Sequence, residues 1–341
     1  MGADVTVETL PETEYEEWTR LVSESPDGTV YAVPRYLEVL SQTLGGTFSI
    51  LAARRFEELA AGVALFESPS RWGTVVVHRP LLYYNGVVVR RRRPRHPSEE
   101  TGRRLKVLSA LVEALDRKGY ARLTLHSPGS FSDVRPFLAA GWSASPSYTY
   151  VVSIGDMEEA WSRIDRNLRR LVKRCEREGL SAAADGDFES FYRLHSGTMD
   201  RKGRERYLSE GAFRRYVETL RTDGLARLYH ARLPDGRAVA TQLVLVGAGA
   251  VTHTAAAAAD EEGLRCGASA FLRWRAFQDL SGLGYEATDL TDASLNPVTR
   301  FKSQLGGELQ QNLVLDGPRS RLYRAGHGAA SLARRLVGRP S

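Results

Sequence analysis

The sequence lacks the features that mark several classes of protein. Its 341 residues include two cysteines, Cys175 and Cys266, too few for a disulfide framework or a cysteine-based zinc site. No run approaches about 18 consecutive apolar residues, the length that crosses a membrane. The first ten residues include Asp4 and Glu8 and resemble no signal peptide. We therefore expect a soluble cytoplasmic protein.

Lysine is also scarce, and arginine supplies most of the positive charge. Lysine and arginine together number 47 against 41 acidic residues, a formal net charge of +6. Such an excess favours anionic partners, namely nucleic acid, phosphorylated metabolites or anionic lipid surfaces. A GC-rich coding sequence would also enrich arginine, so the charge alone selects no function. No cluster of histidine, cysteine and acidic residues has metal-binding spacing, and no phosphate-cradling lysine loop occurs.

The chain length suggests two domains, and an internal repeat supports this. An offset of 165 residues (284 − 119) aligns four pairs of identical residues: Gly119 with Gly284, Tyr120 with Tyr285, Leu125 with Leu290, and Gly141 with Gly306. Both halves then show the same order of helix, Gly-Tyr, strand, short helix, glycine and strand. We predict an α/β protein with domains at 1–155 and 156–318 and a basic tail at 319–341.

Three segments of the second half give further expectations. Apolar residues at steps of three and four predict one helix from Met157 to Glu178. Its other faces carry seven basic residues, which form either a phosphate-tracking surface or simply a solvated face. The turn at 234–237 predicts a hairpin between strands at 226–233 and 238–246. A helix is expected at 267–280 and a strand at 286–291.

A short helix near the end carries the most suggestive lysine. Asn296 is a good N-cap, Pro297 suits the first helical position, and Gly306-Gly307 ends the helix. Within it Phe301 and Lys302 point about 100° apart. The repeat aligns Lys302 with Phe137, so the first copy cannot perform lysine chemistry at this place. The two halves therefore look like a binding copy and a reacting copy.

Other reactive residues allow more than one interpretation. Asp289 and Asp292 are expected on one strand face, where they could bind an incoming amine, act as a base, or pair with Arg300 or Lys302. Cys266 as a nucleophile would need a paired base, and His253 is the one candidate in the preceding strand. A small buried cysteine is the simpler interpretation.

Several motifs, in this order, resemble those of the Fem family of aminoacyl-tRNA-dependent transferases and of related GNAT-like acyltransferases. The end of the chain has Arg-Phe-Lys-x-x-Leu-Gly-Gly at 300–307, and a basic helix runs to Gly179. The segment at 198–203 resembles a Thr-x-x-Arg-x-Gly loop, with Tyr207 following. The start of a helix at 267–269 and the tyrosine-glycine loop at 83–87 complete the resemblance, which covers about 13–315.

The resemblance implies two tandem GNAT-like domains, each a mixed, largely antiparallel sheet flanked by helices. The first domain would hold the acceptor and the second would catalyse. Lys302 would stabilise charge on the ester carbonyl or terminal ribose as an amine attacks, with Phe301, Asp289 and Asp292 beside it. The residues implied in substrate binding are Tyr83, Tyr84, Thr198, Arg201, Tyr207, His253, Gly267 and Ser269.

By the same resemblance the protein is an amide-forming aminoacyltransferase. Its donor would be aminoacyl-tRNA, without a further cofactor. Its acceptor would be an anionic, amine-bearing cell-wall precursor or small metabolite, and peripheral membrane contact stays open. One departure concerns 88–93, where the peptidoglycan enzymes tend to carry an acidic residue and this chain has Val-Val followed by four arginines. That run argues against a muropeptide acceptor.

Two alternatives remain open. The first is a CoA-dependent N-acyltransferase, for which 264–270 is a degenerate version of the pyrophosphate-binding loop at a helix N-terminus. The second is a non-catalytic module that binds RNA or an anionic surface through the basic segments. That reading leaves the lysine motif without a role.

Overall fold

The computed structural model describes residues 4–92, 96–295, 297–320 and 323. Asn296, the predicted N-cap, therefore lies outside the described residues, as do Arg93 and most of the basic tail. The chain forms two compact units, Met1–Pro146 with Asn312–Ser341 as unit 1 and Ser147–Gln311 as unit 2. No helix in the described part of the chain is long and apolar enough to span a bilayer.

Unit 1 has a mixed sheet with helices packed against it. In chain order the elements that begin in this unit are β1 (Thr6–Thr9), α1 (Tyr15–Glu24), α2 (Pro34–Leu44), β2 (Thr47–Arg55), β3 (Glu58–Ser70), β4 (Gly73–Val76), β5 (Val87–Val89), α3 (Pro97–Arg117), β6 (Arg122–Ser127), α4 (Arg135–Ala139) and β7 (Ser143–Ser153). β4 and β6 pair in parallel, whereas the pairs β1–β2, β2–β3, β3–β4 and β3–β5 are antiparallel. The core lies between this sheet and α3.

Unit 2 repeats this plan. Its elements are α5 (Met157–Arg163), α6 (Arg166–Arg177), β8 (Ser181–Ala184), α7 (Phe188–Arg201), α8 (Glu210–Thr222), β9 (Ala226–Arg232), β10 (Ala238–Leu245), β11 (Val251–Ala259), α9 (Glu261–Cys266), α10 (Ala268–Gly282), β12 (Ala287–Asp289), α11 (Pro297–Gln304) and β13 (Glu308–Asp316). The sheet order is β7-β12-β11-β10-β9-β8, and β11 and β12 are its parallel pair. The predicted fold class is confirmed.

The repeat predicted at an offset of 165 residues is visible in the elements. It aligns α3 with α10, β6 with β12, α4 with α11, and β7 with β13. The last strand of each repeat, however, pairs in the other unit: β7 pairs with β12 in unit 2 and β13 with β6 in unit 1. The compact units therefore differ from the predicted domain ranges, because strand exchange leaves no mark in local sequence.

The single helix predicted over 157–178 is two helices. α5 ends at Arg163, and the Asp165 side chain accepts a hydrogen bond from the Asn167 backbone N–H at 2.8 Å. An aspartate that caps a new helix competes with continuation of the old one. β5 is short, and its residues Val87–Val89 pair with β3. The predicted hairpin is confirmed by the pairing of β9 with β10.

Candidate active site

The site of unit 2 forms where its two parallel strands separate. β11 and β12 pair only from Val251 with Ala287 to His253 with Asp289. β12 then ends, while β11 continues to Ala259. Clefts beyond the carboxyl ends of parallel strands are a common place for ligands because the chains diverge there. The lysine helix α11 follows this strand end in sequence.

Two residues after β12 turn the backbone toward Lys302. Thr291 and Asp292 have φ angles of 47° and 53°, a left-handed conformation that costs energy in residues other than glycine. The Lys302 ammonium donates hydrogen bonds to the carbonyl of Thr291 and, at 2.6 Å, to that of Asp292. An ammonium has three N–H donors, so one donor remains after these two bonds.

The surroundings of Lys302 make its protonated form less favourable. Its side chain is half-buried, and burial lowers the pKa of its ammonium to about 8, with the positive charge of Arg273 adding to the effect. Asp292 and Asp289 oppose the lowering of this pKa. A lysine whose pKa lies near neutral pH is suited to giving and taking protons.

A cavity of about 410 Å³ opens in unit 2, and its lining includes Arg273 and Phe301, the residue before Lys302. Small side chains of β10 and β11 form one wall, α6 and α11 contribute leucines and Phe301, and the end of α7 contributes polar groups. Among the described lining residues there are three cations, Arg201, Lys202 and Arg273, and no carboxylate. The cavity is therefore apolar over most of its surface and positively charged at a few points, as an anionic ligand with an apolar part requires.

Arg273 is the site residue that the sequence reasoning missed. It lies on α10 between the buried residues Leu272 and Trp274 and is itself 7% exposed. Its Nη1 donates to the Thr254 hydroxyl at 2.8 Å, and burial lowers the pKa of its guanidinium to about 10. An arginine within an apolar helix face was the available signal, because arginine is rarely buried without a partner.

Asp289 belongs to a buried polar cluster at the end of β12. It accepts hydrogen bonds from the Thr149 hydroxyl and, at 2.7 Å, from the Thr291 N–H. His253 Nδ1 lies 3.6 Å from its other carboxylate oxygen. The expectation that Asp289 and Asp292 share a strand face is wrong: the strand stops at Asp289, and the left-handed turn leaves Asp292 exposed.

The residues at 198–207 divide between the cavity and an aromatic cluster. Thr198 and Arg201 line the cavity from the last turn of α7, which is a helix rather than the predicted loop. The Arg201 guanidinium donates to the Ala259 carbonyl at 2.6 Å. Tyr207 packs instead against His195 and Phe213, and burial raises its pKa to about 12. Its role in binding stays a prediction.

The start of α10 contributes Gly267 and Ser269 to the cavity. Gly267 has φ +91°, and a Cβ there would lie 3.0 Å from Leu171 Cβ. The first N–H groups of a helix have no partner within it, so this terminus can bind an anion. Cys266, just before it, places its Sγ 3.6 Å from the Gly263 carbonyl, while His253 faces Asp289. The structure therefore does not form the cysteine and histidine pair considered above.

Tyr83 and Tyr84 belong to unit 1. They form an aromatic group with His126, whose ring centroid lies 4.8 Å and 5.1 Å from theirs. Tyr84 is buried, and its hydroxyl accepts a hydrogen bond from Asn312 Nδ2 at 2.9 Å. Tyr83 is half-buried. Acceptor binding by these tyrosines stays a prediction.

Comparisons with known proteins agree with this architecture. Residues 162–303 match a family model described as an acetyltransferase (GNAT) domain. No curated protein matches the sequence. The crystal structure of FemX is similar with a TM-score of 0.72 at 14% identity, covering 93% of this chain and 99% of that one.

Two further solved structures have the same fold. L-PGS from Bacillus licheniformis has a TM-score of 0.56 at 15% identity, covering 98% of this chain and 99% of that one. A tandem GNAT protein from the clavulanic acid biosynthesis pathway has a TM-score of 0.53 at 14% identity, covering 93% and 100%. At these identities the likeness is one of fold. Together with the domain match, it confirms the predicted GNAT-like fold.

Proposed function

We propose that this chain, whose residues 162–303 match a GNAT domain, forms an amide bond between an aminoacyl group carried by tRNA and an amine acceptor. The observation that carries the proposal is Lys302, a half-buried ammonium held by two turned carbonyls with one N–H remaining. The names of the solved structures agree with this choice, since one is FemX and another is described as the C-terminal domain of a putative lysylphosphatidylglycerol synthetase from Agrobacterium fabrum. The acceptor is a cell-wall precursor or a small metabolite.

The proposed reaction develops negative charge on the carbonyl oxygen of the ester. The acceptor nitrogen attacks the ester carbonyl carbon, a C–N bond forms, and the carbonyl electron pair moves to the oxygen. The Lys302 ammonium stabilises this oxyanion, and such donors in a partly dry site contribute strongly to rate. When the intermediate collapses, the C–O bond of the ester breaks and the ribose hydroxyl leaves.

Lys302 can also transfer the protons that the reaction requires. The attacking amine loses one proton and the leaving ribose oxygen gains one. With its pKa lowered to about 8, Lys302 can donate a proton to the leaving ribose oxygen and recover one from the positively charged nitrogen of the tetrahedral intermediate, which leaves a neutral amide. Asp289, fixed by Thr149 and the Thr291 N–H, is placed to orient this strand end and to attract the incoming amine.

A CoA-dependent N-acyl transfer is the second candidate. The observation in its favour is the start of α10, where Gly267 and Ser269 line a largely apolar cavity. A helix N-terminus suits a pyrophosphate, and the apolar wall suits an extended thioester arm. The same attack and collapse would then expel a thiolate instead of a ribose hydroxyl.

One assay separates the two donors. The purified protein is incubated with isotope-labelled aminoacyl-tRNA and an amine acceptor, with and without RNase, and in parallel with labelled acyl-CoA. We expect amide product from the tRNA donor, loss of product after RNase, and none from acyl-CoA. Product that survives RNase and requires CoA would overturn the tRNA assignment.

Acceptor classes are compared in the same assay. Peptidoglycan precursor amines, small diamines and amino sugars each enter separate reactions, and products are identified by mass. Lys302→Met serves as the control, because product that is unchanged in this variant comes from a contaminating enzyme or from another site.

A further inference from the structure

Arg273 is a buried cation without a counter-charge. Within the described parts of the chain, its guanidinium has no carboxylate within 4.0 Å, and its hydrogen bond to Thr254 is to a neutral group. Removing an ion from water costs several kcal/mol unless another charge offsets it. A neutral side chain of similar length would fill the same space at a smaller cost in free energy. The burial of a charged arginine here therefore points to a role for its charge.

Arg273 and Lys302 are joined by a short chain of hydrogen bonds. Arg273 donates to the hydroxyl of Thr254, the carbonyl of Thr254 accepts from the hydroxyl of Thr291 at 2.8 Å, and the carbonyl of Thr291 accepts from Lys302. Both cations therefore lie where β11 and β12 diverge. Two like charges so placed repel each other, and this repulsion adds to burial, the larger cause, in lowering the pKa of Lys302.

The other charged groups near Lys302 do not neutralise the pair. Asp289, which accepts hydrogen bonds from Thr149 and the Thr291 N–H, and Asp292, which is exposed on its turn, contribute two negative charges that raise the pKa of Lys302. Lys202, from the end of α7, adds a third positive charge. Neither Arg273 nor Lys302 forms an ion pair with a described carboxylate. The place between them therefore has an excess of positive charge.

We propose that Arg273 and Lys302 form a two-cation site at the divergence of β11 and β12, in which the Arg273 guanidinium binds one anionic group of the ligand, a phosphate or a carboxylate, and the positive charge of Lys302 adds to the attraction. Arg273 anchors this group in the bound state, and Lys302 faces the reacting carbonyl. The guanidinium suits the first task because it stays charged and presents several donors to oxygen pairs. The inference rests on the proposed function for the identity of the ligand.

The test measures binding rather than acyl transfer, so its outcome is independent of the donor. The five lysines of the chain are 106, 118, 173, 202 and 302, and competitive acetylation with acetic anhydride, read by mass spectrometry, gives the reactivity of each as a function of pH. A bound anion raises the pKa of Lys302 and slows its acetylation. Pyrophosphate and glutarate are the two probes, at constant ionic strength, with Lys106, Lys118 and Lys173 as internal references.

We expect pyrophosphate or glutarate to protect Lys302 with saturation while the reference lysines do not respond. Protection by pyrophosphate assigns a phosphate, and protection by glutarate alone assigns a carboxylate. In Arg273→Met the anion concentration that gives half-protection should rise about 10-fold or more, because the loss of one charge-assisted hydrogen bond weakens binding by about this factor. Arg273→Lys should keep most of the protection, and Arg275→Met, an exposed cation on the same helix, should keep all of it.

Two results would overturn the inference: no protection of Lys302 in the wild-type protein, or equal protection in wild type and Arg273→Met. Thermal unfolding of each variant checks that it is folded. Without an added anion, Arg273→Met should raise the pKa of Lys302, because a nearby positive charge is removed. An unchanged pKa would also contradict the two-cation site.

Discussion

The two repeats differ in charge at two aligned positions. At the offset of 165, Lys302 aligns with Phe137 and Arg273 with Leu108. Phe137 and Leu108 are fully buried in the core of unit 1. The same arrangement of elements thus places apolar side chains at these two positions in unit 1 and cations in unit 2. Since an uncompensated cation lowers stability, the difference supports the proposal that unit 2 contains the reaction site.

The largest expected effect comes from exchanging charge between the repeats. Leu108→Arg would bury a cation in the core of unit 1 without a partner and should destabilise it by about 3–5 kcal/mol. Arg273→Leu in unit 2 should leave the free energy of unfolding unchanged or increase it. Urea unfolding measures both. Similar losses in the two variants would remove the distinction between the repeats.

Lys302 and Phe137 give the corresponding contrast in activity. Lys302→Met should lower kcat about 10²- to 10³-fold, the usual result of losing one donor to a developing oxyanion. Phe137→Met should reduce stability through lost packing against Trp142 with little change in kcat. Steady-state kinetics of the amide-forming reaction tests both, and equal losses in kcat would refute the asymmetry of the repeat.

The pH dependence of activity should show the lowered pKa of Lys302. If the ammonium is the active form, kcat falls as pH rises through about 8, approaching tenfold per unit above it. Lys302→Arg stays protonated there and should lose this alkaline limb even if its kcat is lower. If kcat of Lys302→Arg still falls at alkaline pH, the decrease arises from another titrating group.

The free energy of unfolding should increase with pH, whereas kcat should decrease. The folded pKa of Lys302 lies below its unfolded value of 10.5, so the unfolded chain binds more protons between about 8 and 10.5. The contribution of this residue therefore favours folding more strongly as pH rises through that window. Lys302→Met should lack this rise, which thermal unfolding at pH 7 to 10 would reveal.

The smallest expected effects come from two aligned glycines, Gly102 and Gly267. Gly102 lies exposed within α3, and an added Cβ would meet nothing within 4 Å. Gly102→Ala should therefore stabilise by about 0.5–1 kcal/mol. Gly267→Ala should instead destabilise by about 1 kcal/mol or more, because its φ is +91° and Leu171 stands close. Thermal unfolding should show shifts of opposite sign, and shifts of one sign would contradict this difference.

Local signals predicted much of the fold. Glycine and proline marked the limits of α11, the Pro-Asp-Gly turn predicted the β9–β10 hairpin, and the repeat predicted that the architecture occurs twice. Asp165 was the local signal that was misread, since its capping role divides the helix predicted over 157–178. The motif around Lys302 was recognisable because its residues are consecutive.

The remaining features of the site depend on residues far apart in sequence. The sequence by itself determined the repeat, the element types and the asymmetry of Lys302 and Phe137, because these follow from composition, periodicity and identity along the chain. Only the tertiary structure decided that β7 and β13 change units, that Thr291 and Asp292 turn their carbonyls to Lys302, and that Arg273 joins it through Thr254. Such features depend on strand pairing and burial, which bring together residues that no local pattern connects.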